Sequence, residues 1–564
     1  MKKQKSLVRS GIILSLMTFA SRIMGLVREM TKASFLGTGL FADCFSVAFQ
    51  IPNLLRRLFA ENAISVAFIP TFKEYLEKGD SEQNKKETQE FISSTLTLVT
   101  FLTACIVVLG IFIAPWITPI FCKKPAQEIT QLLPNFPSFI PLFGKVNLNI
   151  EQNDYLQQVQ YWMQQKNEIT VLTRIMFPYL FLISIAAFFQ GVLNGCNIFA
   201  PSGFTPVLFN SIVIIATYIL SPHTSNPARA MAIGVVTGGS IQAVFQWPFV
   251  RKTGWKMRLT SLRKTFQNPG TKKVISLIIP TIIGIAAYQL NDLVSTSMAT
   301  RAGEGIASSL QYSLRLQELI LGIFAVSIGT VILPDMSGLA NEKNWEGFNT
   351  ILIQAIKIMT VISIPVTAYS LVTGKELISL LYKNKMFDDA SVALTLGEFR
   401  FHIAGLLFIA LNRIISPAFY AQGNTKLPTT AGIISFVSNI ILVFILIRPM
   451  GGRGIALALS LASFINTVFL IIFMRKMQSI QIKKLLKDTC LYILKITVFA
   501  VIAALPCYFL RPLLVEAFSS YGRLVAYGLP VIILAVIYFA IGVLELIISK
   551  DDIVKAVLQK VKRK

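Results

Sequence analysis

"FASRIMGLVREM", residues 19–30, lies inside the first apolar stretch of the chain and places Arg22, Arg28 and Glu29 where a membrane-crossing helix should be apolar. An arginine at mid-bilayer costs about 2.5–3.5 kcal/mol on the mildest insertion scale. Either the stretch does not span, or its charges face something other than lipid. The rest of the chain removes the first option. Of 564 residues, 54% are hydrophobic and 14% charged, against roughly a quarter charged in a soluble protein. Mean hydropathy is +0.63. The chain is therefore a polytopic, all-α membrane protein.

Crossing a bilayer takes about 20 apolar residues. Fourteen segments qualify, near 8–30, 38–60, 92–120, 170–195, 204–221, 229–249, 274–298, 308–334, 350–372, 392–421, 428–448, 454–474, 487–510 and 523–548. A short interfacial helix is expected between 61 and 75. "MKKQKSLVRSGIILSL" imitates a secretion signal, but no small-x-small cleavage site follows, so it reads as an uncleaved first span.

The net charge of +25 would suggest nucleic acid in a soluble protein. Here the basic residues cluster between apolar runs, which is a topological signal, and no nucleic-acid partner is expected. The 251–273 link carries Arg251, Lys252, Lys256, Arg258, Arg263, Lys264, Lys272 and Lys273 with no acid. Together with the basic N-terminus, the 475–487 link and the tail "KAVLQKVKRK", it places both termini in the cytoplasm. Anionic membrane lipids are possible contacts for the same loops. The six cysteines are scattered without a CxxC pair and read as packing residues, and His223 and His402 are isolated, so no metal site is expected.

A repeat is legible. "LFAENAISVAFIP" (58–70) matches "IFAVSIGTVILP" (323–334) with one gap, and Pro70 and Pro334 are 264 residues apart. A second proline pair, Pro206 and Pro428, is only 222 apart, so the first half holds 42 extra residues. They coincide with the polar, proline-broken stretch 123–168, read as an external insertion whose second half forms a short amphipathic helix with Leu156, Val159, Trp162 and Met163 near one stripe. The expected layout is an N-lobe over 1–250 (helices 1–6), a C-lobe over 251–475 (helices 7–12), and helices 13–14 with a basic tail over 476–564. Two six-helix pseudo-repeats form a transporter whose site lies between the halves.

The ionisable residues inside expected spans gather on helices 1, 2, 7 and 8: Arg22, Arg28 and Glu29, then Asp43, Arg56 and Arg57, then Asp292, then Arg315 and Glu318. Ser21 and Arg28 share a helical face, as do Arg22 and Glu29. Near helix ends, Arg28, Arg56 and Arg57 could instead snorkel to headgroups. That account fails for Arg22, which is well inside its span. Several lipid-facing arginines would cost on the order of 10 kcal/mol, and a wet cavity removes most of that cost. Guanidinium forks in surplus over carboxylates favour a phosphate or carboxylate ligand. No GxSxG, Walker A, HExxH or acidic metal motif is present, so the chain is expected to be a transporter and not an enzyme, with no cofactor. Energy would come from a monovalent-cation gradient or the membrane potential. Asp292 has two readings. It pairs with a cavity arginine, or with Ser295, Ser435, Asn439 and Ser460 it forms an oxygen cage for a cation.

"SRIMGLVRE", "ADCFSVAFQIPNLLRRLFAENAISVAFIPTFKEY", "FPYLFLISIAAFFQGVLN", "GTVILPDMS" and "PAFYAQGNTKLP" resemble the MurJ (MviN) lipid II flippases of the multidrug/oligosaccharidyl-lipid/polysaccharide exporter superfamily. The likeness covers nearly the whole chain and is weakest after about residue 475; "PNLLRRLFAE" is its most specific motif. It implies fourteen helices, two lobes, a cationic central cavity and a lipid-tail groove formed with the last two helices. The implied activity is export of undecaprenyl-pyrophosphate-linked disaccharide-pentapeptide across the bacterial inner membrane for cell wall synthesis. By motif match, Arg22 and Arg28 take the places of the family's first-helix arginines, Asp43 and Arg56 those of its second-helix acid and arginine, and Arg315 that of its eighth-helix arginine. Glu29 stands where the family usually has Asp, and Leu314 where some members have an acid. The family's seventh-helix acid position falls at Ser295, with Asp292 one turn earlier. A monomer is expected, with the cell wall synthesis machinery as a possible partner. The rival readings are a flippase for another polyprenyl-linked glycan, a cation-coupled multidrug exporter, which would favour cavity carboxylates, and a scaffold of the division machinery.

Overall fold

In the computed structural model, which describes residues 2–61, 64–79, 81–123, 148–477, 479–551 and 553, every regular element is helical. The helices are α1 (Lys2–Leu36), α2 (Leu40–Arg56), α3 (Ile69–Glu77), α4 (Glu82–Ile117), α5 (Leu148–Met176), α6 (Pro178–Gly195), α7 (Ala200–Leu220), α8 (Pro227–Lys252) and α9 (Leu262–Gln267). They continue with α10 (Pro269–Ala302), α11 (Ile306–Asn341), α12 (Trp345–Tyr382), α13 (Asp389–Ala404), α14 (Leu406–Tyr420), α15 (Lys426–Met450), α16 (Gly452–Met474), α17 (Ile482–Phe518) and α18 (Arg523–Ile548). Two π-helical turns, Arg57–Glu61 and Ile64–Phe68, precede α3.

Local chemistry sets several starts. Asn226 and Asn268 cap α8 and α10, accepting the Arg229 and Thr271 amides at 3.1 and 3.0 Å, with Pro227 and Pro269 at the first helical position. An Asn–Pro pair supplies a side-chain acceptor and a residue with no orphan amide. Ser81, Asn344 and Asp388 cap α4, α12 and α13 in the same way.

Among the described residues, ten helical segments are long and apolar enough to cross a membrane by length and composition. Their apolar side chains point outward: on α4, Val108, Leu109, Phe112 and Trp116 are exposed, a surface that only lipid or a partner could cover. The four expected spans outside these ten, 8–30, 38–60, 274–298 and 308–334, correspond to α1, α2, α10 and α11. Those helices, with the π-helical turn that follows α2, carry every charged site candidate.

One expectation needs correcting. The amphipathic helix expected in the insertion and the span expected to begin near 170 belong to one helix. α5 runs unbroken from Leu148 to Met176 and bends only at Phe177–Pro178 into α6. No glycine or proline interrupts 148–177, so the polar composition that suggested a break merely describes a helix with a polar face. Near its middle, Gln165 and Glu168 are buried, so this part belongs to the packed protein. Segment 124–147, which contains "FPSFIPLF", lies outside the described residues, as do residues 62–63 of the first repeat motif and the side chains of 323–333 in the second.

The chain divides into two compact units: residues 1–32 with 39–307, and residues 33–38 with 308–564. The first has an aromatic core in which Phe68 stacks on Phe72 and Phe91, each at 5.5 Å, and meets Phe188 at 4.8 Å. α3 belongs to this core through Phe72, fully buried. In the second, Tyr312, Tyr382 and Phe387 form a triad with ring centroids 5.1–5.7 Å apart. Tyr312 donates to the Gly37 carbonyl at 2.9 Å. Gly37 has φ +58°, and a Cβ there would lie 2.0 Å from the Met386 carbonyl oxygen. α17 and α18 pack through Cys507, Leu534 and Tyr538, with Tyr369 of α12 alongside.

Candidate functional site

In the first unit the charged candidates are held by polar side chains from several helices. Arg28 donates to Glu29 Oε1 at 2.7 Å and to Asn210 Oδ1 at 3.1 Å, and its guanidinium lies 5.9 Å from the Phe49 ring. Its side chain is only 20% exposed and that of Glu29 11%. A buried guanidinium needs such partners, because an uncompensated charge costs several kcal/mol. Asn210 Nδ2 also donates to the Ser21 carbonyl at 3.4 Å and the Pro206 carbonyl at 3.0 Å. One amide on α7 thus joins the Ser21 and Arg28 levels of α1, seven residues apart and on one face. Arg22 lies between them in sequence and is half-buried.

Asp43, fully buried, accepts the Gly305 amide at 2.6 Å. Arg56 Nε donates to Asn53 Oδ1 at 2.9 Å within α2. Arg57 reaches α10, where it donates to Gln289 Oε1 at 3.2 Å and lies 3.6 Å from Asp292 Oδ2. Both side chains are more than a third exposed, so solvent weakens the pair. Asp292 is therefore an arginine partner in this structure, with Ser295 half-buried nearby on α10.

In the second unit Arg315 pairs with Glu318 one turn along α11 at 3.2 Å, both partly exposed. Ser435 and Ser460 donate to the Ala462 and Phe401 carbonyls at 2.8 and 2.6 Å, and Asn439 is buried on α15.

Four features escaped the sequence reading. Lys32 is buried and donates to Ser46 Oγ at 2.7 Å beside the Phe45 ring; its position three residues after Glu29 was the available signal. Asn210 had no signal beyond being an amide in an apolar run. Glu168 on α5 receives Arg229 through two bonds, at 3.0 and 2.8 Å, and Asn226 at 2.9 Å. His402 is buried against Ser313 Oγ at 2.6 Å, and Gln317 donates to its carbonyl, which ties α13 to α11.

Comparison with known proteins bears on this arrangement. A family model described as "Lipid II flippase MurJ" matches residues 32–136 and 156–522, so residues 137–155 fall between the matched segments. A "Probable lipid II flippase MurJ" of Treponema pallidum is 42% identical over 564 residues, covering 100% of this chain and 99% of the relative. One of Vibrio cholerae is 34% identical, covering 83% and 82%. Among solved structures, "Lipid II flippase MurJ, inward closed conformation" superposes with a TM-score of 0.73 at 23% identity, covering 96% of this chain and all of that one. An inward-facing MATE-family multidrug transporter of the MOP superfamily has a TM-score of 0.59 at 14% identity, covering 83% and 96%. These two structural likenesses concern the fold.

Proposed function

We infer the working of this chain from one premise: it belongs to the lipid II flippase MurJ family. The protein is a multi-pass membrane transporter, not an enzyme, and flips the lipid-linked precursor of peptidoglycan. The finer reading is that α1, α2, α10 and α11 complete fourteen spans in two lobes and a C-terminal pair, with both termini in the cytoplasm of an inner-membrane monomer. Lipid II then moves from the cytoplasmic to the periplasmic leaflet by alternating access.

The observation that carries this reading is the holding of Arg28 by Glu29 and Asn210 inside α1, an expected span. Arg57 meets Asp292 in a related way. Glu29 keeps the Arg28 guanidinium satisfied where the dielectric is low, and Asp292 holds Arg57 in a wetter setting. A pyrophosphate competes with the carboxylate for the same donors and takes both prongs of a fork. Arg22, Arg28 and Arg56, with Arg315 of the second unit, are the proposed pyrophosphate and peptide-carboxylate ligands, while the polyprenyl tail stays in lipid. The membrane potential or a cation gradient resets the cycle, and the cell wall synthesis machinery consumes the product.

The test is depletion of the chromosomal flippase with an assay for lipid II exposed on the periplasmic face. The present chain should restore exposure, and the Arg28→Ala variant should not. Restoration by a variant lacking both Arg22 and Arg28 would overturn the pyrophosphate role.

A further inference from the structure

Away from the charged helices, α12 and α17 of the second unit line an open cavity of about 610 Å³. Its polar wall is Lys375 and Glu376 from α12 with Arg511 and Glu516 from α17, and its apolar wall includes Tyr508 and Phe509. Arg511 and Glu376 pair at 2.9 Å through one nitrogen and one oxygen. Glu376 is 2% exposed. Its other oxygen, Oε2, and the Arg511 Nε are both buried with no hydrogen-bond partner among the described residues. A native structure rarely leaves a buried acceptor and a buried donor unused side by side, since each costs about 1–3 kcal/mol.

Two cations and two carboxylates line the wall, so a ligand carrying a single net charge is mismatched. A zwitterion with an N–H donor and an anionic oxygen answers both unused atoms. Its ammonium donates to Glu376 Oε2, and its anion accepts from Arg511 Nε with Lys375 alongside. Phe509 and Tyr508 are 69% and 59% exposed on the same helix and offer an apolar track for an acyl chain. Glu376 and Arg511 lie within about two turns of the ends of their helices, which is headgroup depth for a helix ending at the surface.

We propose that this cavity binds the headgroup of a zwitterionic phospholipid bearing a primary amine, a phosphoethanolamine lipid, through Glu376 and Arg511. A choline headgroup has no N–H for Glu376 Oε2. A glycerol headgroup brings no cation to it.

The test is native mass spectrometry of the full-length protein, purified in phospholipid-free detergent and titrated with phosphatidylethanolamine, phosphatidylcholine and phosphatidylglycerol of the same acyl chains. Retention of the ethanolamine lipid should exceed that of the other two about tenfold, the effect of one charge-assisted bond. Glu376→Gln/Arg511→Gln should abolish the preference. Lys375→Gln, at an exposed position, should weaken retention severalfold with the fold intact, and it decides the matter if the double variant fails to fold. Glycerophosphoethanolamine should compete, which separates headgroup recognition from tail partitioning. Equal retention of the three lipids, preference for the anionic lipid, or a preference unchanged in the variants would overturn the proposal.

Discussion

Asp43 and Glu304 cap each other's helices: Asp43, in the first turn of α2, accepts the Gly305 amide at 2.6 Å just ahead of α11, and Glu304 accepts the Leu40 amide at 3.0 Å where α2 begins. Helix N-termini present unsatisfied amides and a partial positive charge, so each carboxylate meets both needs at once. Asp43→Ala should lower stability by about 1–2 kcal/mol and Glu304→Ala, at an exposed residue, by about 0.5 kcal/mol. Because both caps fix one junction, the double variant should depart from additivity by at least about 0.5 kcal/mol. Thermal unfolding of the purified variants measures all three, and strict additivity would show that the caps act independently.

At Arg22 and Arg28, guanidinium geometry should matter as well as charge. Alanine at either position is expected to abolish complementation of a flippase-depleted strain. Lysine, which keeps the charge but not the fork, should restore growth partly or not at all. Wild-type growth with lysine at both sites would reduce their role to a point charge.

Asp292 faces Arg57, so its removal should be felt as a loosened arginine and not as a lost cation. Asp292→Asn is expected to weaken lipid II binding severalfold, by the same factor in sodium and in potassium. A defect seen in sodium alone would instead favour the oxygen cage with Ser295, Asn439 and Ser460.

Gly37 tolerates no side chain. Its positive φ disfavours other residues, and a Cβ would strike the Met386 carbonyl at 2.0 Å. Gly37→Ala should cost more than about 2 kcal/mol, read as a lower unfolding temperature, while Gly432→Ala, where the same atom meets open space, should cost little.

The α12–α13 connection should respond to pH on both sides of neutrality. The Ser391 amide, then its hydroxyl, holds the Asp388 carboxyl below the usual aspartate value. This contribution is present above the unfolded-state pKa and is lost as pH falls through the depressed folded one. The bond to Asp389 raises the Lys383 ammonium above its ordinary value. That contribution is complete below the unfolded lysine pKa and disappears as pH rises through the folded one. Unfolding followed against pH should therefore show firm docking of α13 near neutrality, and Asp388→Asn should flatten the acid limb while preserving the cap.

What the sequence disclosed follows the range of the forces involved. Asn226–Pro227 and Asn268–Pro269 mark helix starts by capping that acts within three residues, a local signal that the reading by apolar runs did not use. The apolar runs marked membrane helices because burial in lipid leaves a compositional trace. α5 reads in the sequence as a short amphipathic helix and a separate span because the change from polar to apolar composition near residue 170 looks like a boundary, while an unbroken helix can run through it. Glu168 with Arg229, and Arg28 with Asn210, are 61 and 182 residues apart, and no local pattern registers a bond closed by tertiary packing. Arg57 showed its charge in the sequence but not its direction, which depends on Gln289 and Asp292 of a distant helix.

The charges of the first unit have an electrical consequence for the proposed cycle. Arg22, Arg28, Lys32, Arg56 and Arg57 outnumber Glu29, Asp43 and Asp292 by two, and a bound pyrophosphate brings two ionised phosphates. The loaded site is then close to electroneutral, while the empty site carries its surplus. Each unit charge crossing 100 mV is worth about 2.3 kcal/mol. In the proposed outward cycle an interior-negative voltage would therefore do little work on the loaded stroke. It would act on the return of the empty carrier, drawing the unfilled arginines back toward the cytoplasm.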